Sequence, residues 1–329
     1  MSMVDPFKPN AFKLQTLTAA INSLKYAPGR LGELGLFEEA GISTLDAAIE
    51  ERDGVLSIVD IAPRGAPGKP VHGESRRIQS FRVPHIPQQA SILADEVQGV
   101  RAFGTDGQAE VLQAHINERL AIMRRNLDYT IESHRVAALM GNYLNANGDS
   151  VSLFTTFGVS QQTQAMGFST SATSKTREIH QIILEKIESA LDGVPFSGVR
   201  VICSPGFWKA LIEDKDVKET YLNTMMAGSL RQDPRMEFQH MGFMFERYRG
   251  TSAVKITDDK AYAIPMGVPG LFLTRYAPAN YVETVNTIGL PYYAKGEAMD
   301  FGKGWEMEAQ SNALNLCTRP AAIIELSKT

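Results

Sequence analysis

Cysteine is nearly missing from this chain of 329 residues, with Cys203 and Cys317 the only two. That is too few for a disulfide framework, and a structural zinc site would need help from histidine. The histidines offer none, because His72, His85, His115, His134, His180 and His240 are scattered and form no HxxxH or HExxH pair. No metal and no other cofactor is expected. Apolar runs long enough to cross a membrane are lacking. Near the N-terminus Asp5, Lys8, Asn10 and Lys13 interrupt the apolar residues, so a signal core is lacking as well. These absences predict a soluble protein made in the cytoplasm, in a reducing compartment, with no membrane partner. An excess of positive charge is also missing. The 33 basic residues stand against 37 acidic ones, a net charge of −4, which excludes a dedicated nucleic-acid binder that works by neutralising phosphates.

The chain does have enough apolar residues, 43% of the total, to bury a real core, and its length suits about two domains. The first hundred residues do not read as a compact domain. Pro6, Pro9, Pro28, Gly29, Gly32, Gly35 and Gly41 separate short apolar clusters, a pattern that predicts an extended arm. Two strand-like runs follow, one from Thr44 to Asp60 and one from Arg76 to Val83. They are joined by Pro63-Arg64-Gly65-Ala66-Pro67-Gly68-Lys69-Pro70, whose prolines and glycines set turns and cannot sit in a central strand. The result is a long two-stranded ribbon with a basic tip. Such a ribbon is marginal alone in water, and no neighbouring segment reads as its covering helix, so another subunit is the expected cover.

Between Gly107 and Leu144 there is no proline, and Leu112, Ile116, Leu120, Met123, Leu127 and Ile131 recur at helical spacing. A helix over 107–144, about 55 Å long, is predicted, with Thr105 and Gln108 as a capping box. Arg119, Arg124, Arg125, Glu132 and Arg135 lie off its apolar stripe. Further on, a short strand from Val151 to Phe157 and a helix capped by Ser174 are expected. A buried strand from Val199 to Cys203 then leads into a helix capped by Ser204, with Pro205 at its first position. From Phe238 onwards strands are expected to dominate, at 243–248, 254–257, 261–264, 271–275, 282–285, 305–316 and 321–326. The class is α+β.

Catalytic readings are weak. Cys203-Ser204-Pro205-Gly206 stands at a strand-to-helix junction, but a nucleophile elbow needs Gly-x-Ser-x-Gly and Ile202 occupies the first glycine position. A helix cap explains Ser204, and a small buried apolar role explains Cys203. The segment from Gly296 to Gly302-Lys303-Gly304 has the wrong spacing for a phosphate loop and lacks its Ser or Thr, so it reads as a turn between strands. Glu38-Glu39 and Asp258-Asp259 read as solvated loop carboxylates. The basic tip, with Arg64, Lys69, Arg76 and Arg77, suits contact with nucleic acid or with an acidic partner surface, and on charge alone a merely solvated loop suits it equally. Net acidity and the uncovered ribbon favour a protein partner, which makes these four residues the candidate inter-subunit contacts.

The order of local stretches carries a resemblance. Leu31-Gly32-Glu33-Leu34-Gly35-Leu36-Phe37 is followed by Gly41-Ile42 and Thr44, then by Pro63-Arg64-Gly65-Ala66-Pro67, Phe81-Arg82-Val83-Pro84-His85-Ile86 and 94–104. Val199 to Trp208 and Tyr221 complete the series. Together they resemble the major capsid proteins of lambda-type tailed bacteriophages, the protein E family, which has the Hong-Kong-97-type shell fold. The resemblance implies an N-terminal arm (1–43), an extended ribbon loop (44–92), a peripheral domain on a spine helix (93–195), an axial domain (196–300) and return strands to the peripheral domain (301–329). It implies no enzyme. It implies pentamers and hexamers in an icosahedral virion shell that encloses double-stranded DNA without sequence-specific binding. Scaffold, portal, protease and decoration proteins are the implied partners. Two alternatives are an encapsulin-like compartment and a cytosolic hydrolase using Ser204 or Cys203.

Overall fold

A computed structural model describes residues 12–24, 29–52, 76–97, 108–168, 176–218 and 237–328. The N-terminal segment is less extended than its prolines suggest. It forms helix α1 (Leu14–Ser23) and one helical turn, α2 (Arg30–Glu33), before strand β1 (Phe37–Gly41). Leu17 and Ile21, four residues apart on α1, are at most 1% exposed, so this part of the arm is docked on its own body. The ribbon pairs β2 (Asp46–Arg52) with β3 (Arg76–Arg82), antiparallel, Ala47 opposite Phe81. Its predicted turns, Asp53-Gly54 and 63–70, lie outside the described residues. Strand β4 (Ile86–Leu93) and the short α3 (Ala94–Val97) lead to the long helix.

Helix α4 (Gln108–Leu139) has 32 residues, about 48 Å at the usual rise per residue. All six residues of its predicted apolar stripe are buried, none above 3% exposed. Thr105, the predicted cap, lies outside the described residues, and Gln108, its predicted capping-box partner, is the first residue of α4. The helix stops before 144 because Gly141 takes a left-handed backbone (φ 77°) and a β-carbon there would strike the Phe154 ring. The predicted last turn is instead β5 (Asn142–Leu144), paired with β6 (Ser150–Ser152). After Ser152 the expected strand becomes a short helix, α5 (Leu153–Phe157), which buries Leu153 and Phe157 in the central core and is closed by Gly158 in a left-handed conformation (φ 69°).

One lobe is built on a six-stranded sheet. Its order is β7 (Gln162–Ala165), β16 (Ile324–Ser327), β11 (Lys260–Met266), β8 (Gly198–Cys203), β10 (Phe243–Arg247) and β9 (Glu237–His240). Helices α6 (Thr176–Leu191) and α7 (Pro205–Glu213) cover one face, through Ile179, Ile183, Ile187 and Leu191 on the first and Phe207, Trp208 and Leu211 on the second. Ser174, the predicted cap of α6, lies outside the described residues. The other face of the sheet contributes Ile202, Tyr262 and Ile264 to a central core. That core also takes Val136 and Leu139 from α4 and Phe81 from the ribbon.

The second lobe wraps α4. Its apolar stripe packs on α1 and on the antiparallel sheet β13 (Tyr293–Ala298), β14 (Gly304–Ser311) and β4. Phe12 stacks on Trp305 with ring centres 4.0 Å apart. A small sheet of β1, β12 (Phe272–Tyr276) and β15 (Ala313–Cys317) lies between the two lobes' cores. The strands after Trp305 are therefore divided: β14 lies beside α4, whereas β16 enters the six-stranded sheet, paired with β11 and β7. Two other predicted strands are irregular. Val254 and Ile256 are buried but the segment makes no ladder, and 282–285 is mostly a 3₁₀ turn, Val282–Thr284, ordered by the Thr284 hydroxyl donating to the Ala279 carbonyl at 2.7 Å.

Leu127 is fully buried at the middle of α4. Leu127→Ala should lower the unfolding free energy by about 2–5 kcal/mol. Urea unfolding followed by circular dichroism should show a lower midpoint with an unchanged slope.

Candidate functional site

Catalytic geometry is lacking at the strand-to-helix junction. Ser204 is fully buried and its hydroxyl accepts from the Phe207 N–H at 3.3 Å, which makes it the cap of α7. Cys203 is equally buried, its thiol facing the Val201 carbonyl, and burial pushes that thiol well above the ordinary range. A thiolate or alkoxide here would have neither solvent nor a positive partner. The paired carboxylates are engaged elsewhere. Glu39 meets Arg135 and Tyr276, Glu38 meets Arg275, Asp258 meets Lys255 and Asp259 meets Lys328. Gly302 and Lys303 lie in the turn that joins β13 to β14, and Gly304 and Trp305 already belong to β14. Among the described residues no group of His, Cys, Asp and Glu is placed to hold a metal ion, and no helix is long and apolar enough to cross a membrane.

The surfaces left over are those of the ribbon and its root. The ribbon's inner face is covered by its own chain, contrary to the sequence expectation. Phe81 is 1% exposed, edge-on to Tyr143 at 5.1 Å and beside Phe157, and Gln79 donates to the Thr156 carbonyl. The covering elements, β5 and α5, arise about 70 residues further along the chain, which is why adjacency in sequence hid them. The outer face is different: Ile78 and Leu45 are 66% and 51% exposed. Of the four predicted contact residues, Arg76 and Arg77 stand next to each other on β3, in register with Arg52 and Glu51. Arg64 and Lys69 lie outside the described residues.

The ribbon root is held by a second stripe on α4, whose charged residues the sequence reading placed only as lying off the apolar stripe. Arg124, Asp128, Glu132 and Arg135 are all buried. Arg124 pairs with Asp128 at 3.0 Å, donates to the Ile21 carbonyl at 2.7 Å and lies over the Tyr292 ring. Glu132 accepts from the N–H groups of Leu31 and Gly32 and from the Tyr248 hydroxyl. Its charge, together with burial, raises the Tyr248 phenol far above its usual value, burial being the larger cause. Arg135 reaches Glu39 at 2.5 Å. Beside this, Glu246 is held between Arg30 and Arg200, tying α2 to the six-stranded sheet. The missed signal was the spacing of four, four and three residues, a second helical face.

The sequence profile described as phage major capsid protein E matches residues 13–328. The chain belongs to that family. The major capsid protein of Salmonella phage Felix O1 is 24% identical over 98% of both chains. That of Pseudomonas phage KPP10 is also 24% identical, over 97% of this chain and 98% of its own. Among solved structures, a prophage capsid protein of E. coli CFT073 superposes with a TM-score of 0.58 at 15% identity, covering 96% of this chain and 99% of its own. The capsid of Myoviridae phage XM1 gives a TM-score of 0.51 at 9% identity, covering 93% and 94%. The fold is therefore the Hong-Kong-97 type, and the protein is a phage major capsid protein, placed in the virion.

One group in this body makes its stability depend on acid. His134, on α4, is 8% exposed and burial pushes its imidazole down to about 4. An unfolded chain protonates histidine near pH ~6.5, so on acidification the unfolded state binds the proton first. This contribution is whole above that pH and is lost as pH falls towards about 4, a change on the order of 3 kcal/mol. Thermal unfolding of His134→Gln from about pH 7 to about pH 4 should show a flatter acid decline than the parent protein; parallel curves would contradict the assignment.

Proposed function

We propose that many copies of this chain form the pentamers and hexamers of an icosahedral shell enclosing packaged double-stranded DNA. What carries the reading is the family match along residues 13–328. The lobe of the six-stranded sheet is the part proposed to lie at the capsomer axis. The α4 lobe would lie at the periphery. In this division α6 and β16 go with the axial lobe, because both pack on its sheet, so the expected boundaries at 195 and 301 move.

The role is structural and not catalytic, which fits a body whose candidate nucleophiles are capped or buried. Assembly would take place in the host bacterial cytoplasm as a procapsid around a scaffold, with a portal for DNA entry and a protease and a decoration protein as further partners. A net charge of −4 suits a wall that contains DNA without gripping it, since a strongly basic lining would hold the genome through released counterions. Closed symmetry makes each neighbour the cover for another's exposed ribbon face.

Arg64, Lys69, Arg76 and Arg77 are the proposed contact residues of the ribbon. Replacing Arg76 and Arg77 together with glutamate should leave a folded subunit, judged by circular dichroism, and greatly reduce shells counted by electron microscopy. Normal shells from that variant would remove the basic pair from the interface. Unmodified protein that yields neither shells nor capsomers would contradict the function itself.

A further inference from the structure

Phe301 sits at the tip of the β13–β14 hairpin, 94% exposed and with φ of 63°. Left-handed backbone costs a side-chain-bearing residue about 1–2 kcal/mol, and the one ring contact among the described residues, the Lys303 ammonium 5.6 Å from the ring centre, returns only about 0.5–1 kcal/mol at an exposed site. Next to the tip, Glu297 and Glu306 are both exposed and stand directly opposite across the hairpin. Like charges in that arrangement repel, and neither forms an ion pair among the described residues. Asp300 adds a third carboxylate. The hairpin end is thus an apolar knob on a collar of three carboxylates and one lysine, with the phenyl ring buried by nothing in its own chain.

A cavity of about 540 Å³ opens at the ribbon root, lined by Leu45, Val83, Ala277, Pro278, Tyr281 and Val285, with Arg82, which also pairs with the exposed Asp46, and His85, hydrogen-bonded to Asn312, in its wall. Its loop is fixed by hydrogen bonds: Thr287 donates to the Thr284 carbonyl at 2.7 Å and the Gly289 N–H to the Ile42 carbonyl at 2.9 Å. A site held open in this way costs little to order on binding. The cavity and the knob lie at opposite ends of one sheet. Gly304 of β14 pairs with Leu93 beside the tip, whereas Ser311 pairs with Ile86, next to the cavity residues His85 and Asn312. Eight strand residues separate the two ends by roughly 25 Å, so the knob cannot reach the cavity of its own chain.

We propose that Phe301 of one copy enters the ribbon-root cavity of a second copy, with the carboxylates of the hairpin end facing Arg82 and His85. The inference rests on the shell function proposed above and names one of its contacts. The surfaces differ, so the contact is head-to-tail, the kind that closes into a ring about a rotation axis.

The test uses assembled particles. Both native cysteines are buried, so a chain with Phe301→Cys and Val285→Cys carries only those two exposed thiols. Within one chain they are too far apart to bridge. Oxidation after assembly should give a ladder of linked chains on a non-reducing gel. A control with Phe301→Cys and Lys209→Cys, the latter on exposed α7, should stay at background. Shells whose ladder is no stronger than the control's overturn the contact and leave the shell function standing. An unmodified chain that makes no shells overturns both. Should the paired cysteines block assembly, Phe301→Ser reads the same contact: a folded subunit with shell yield down at least about tenfold supports it, and full yield overturns it.

Discussion

Arg124, Asp128, Glu132 and Arg135 lie along one face of α4, and none is more than 7% exposed. Taking a charge out of water costs several kcal/mol unless partners replace the lost hydration. Here each partner comes from a different part of the chain. Arg124 takes the carbonyl of Ile21 in α1, Glu132 takes the backbone of α2 and the hydroxyl of Tyr248, and Arg135 takes Glu39 of β1. The long helix therefore fixes the N-terminal segment, the small central sheet and the edge of the six-stranded lobe at once. Loss of Glu132 would strand two N–H groups at the start of α2, where Leu31 enters the central core. From α2 the chain runs through β1, whose Glu39 is held by Arg135, and enters the ribbon at Asp46, so the ribbon root rests on this polar face as well as on the apolar one.

Much of the scaffold was legible because it obeys local rules. The apolar stripe of α4, the buried strand at Val199 to Cys203 and the Ser204-Pro205 helix start each follow from spacing or capping within a few residues. The errors fall where a distant residue decides. Phe154, packed where a side chain on Gly141 would go, sets the end of α4, and no periodicity within the helix contains that information. Phe81 is covered by Tyr143 and Phe157, a cover invisible from neighbouring sequence. Charged residues on a helix are ordinarily solvated, so the burial of the second stripe could be read only by noticing that its charges also recur at helical spacing. Of the proposed contact residues, sequence supplied the basic pair on β3, whereas the exposed Phe301 and the ribbon-root cavity emerge only when the hairpin and the loops have been folded.

The large apolar side chains left in water are not scattered evenly. Leu45, Ile78, Val282, Val285, Ile288 and Leu290 gather on the ribbon and around its root, and Phe301 stands alone at the hairpin tip. Among the described residues, the two lobes themselves present only Leu93, Ile122, Tyr129 and Met241 of this kind. A subunit of this kind satisfies its own core and concentrates what remains unsatisfied on projections and sockets. That separation lets the body fold before any neighbour arrives, while the contacts that join copies wait for a second chain.

Small contacts suit closed assembly. A knob of one phenyl ring and a few carboxylates gives only a modest affinity alone, and a misplaced subunit held by one such contact dissociates readily. When several contacts engage at once, each later one forms at a high effective concentration, and the whole is held far more tightly than any part. The same contacts made very strong would trap wrong geometries before the ring closed. The modest size of Phe301 and its cavity, set against the extensive buried core within each lobe, therefore fits a division of labour in which the fold supplies strength and the symmetry supplies adhesion.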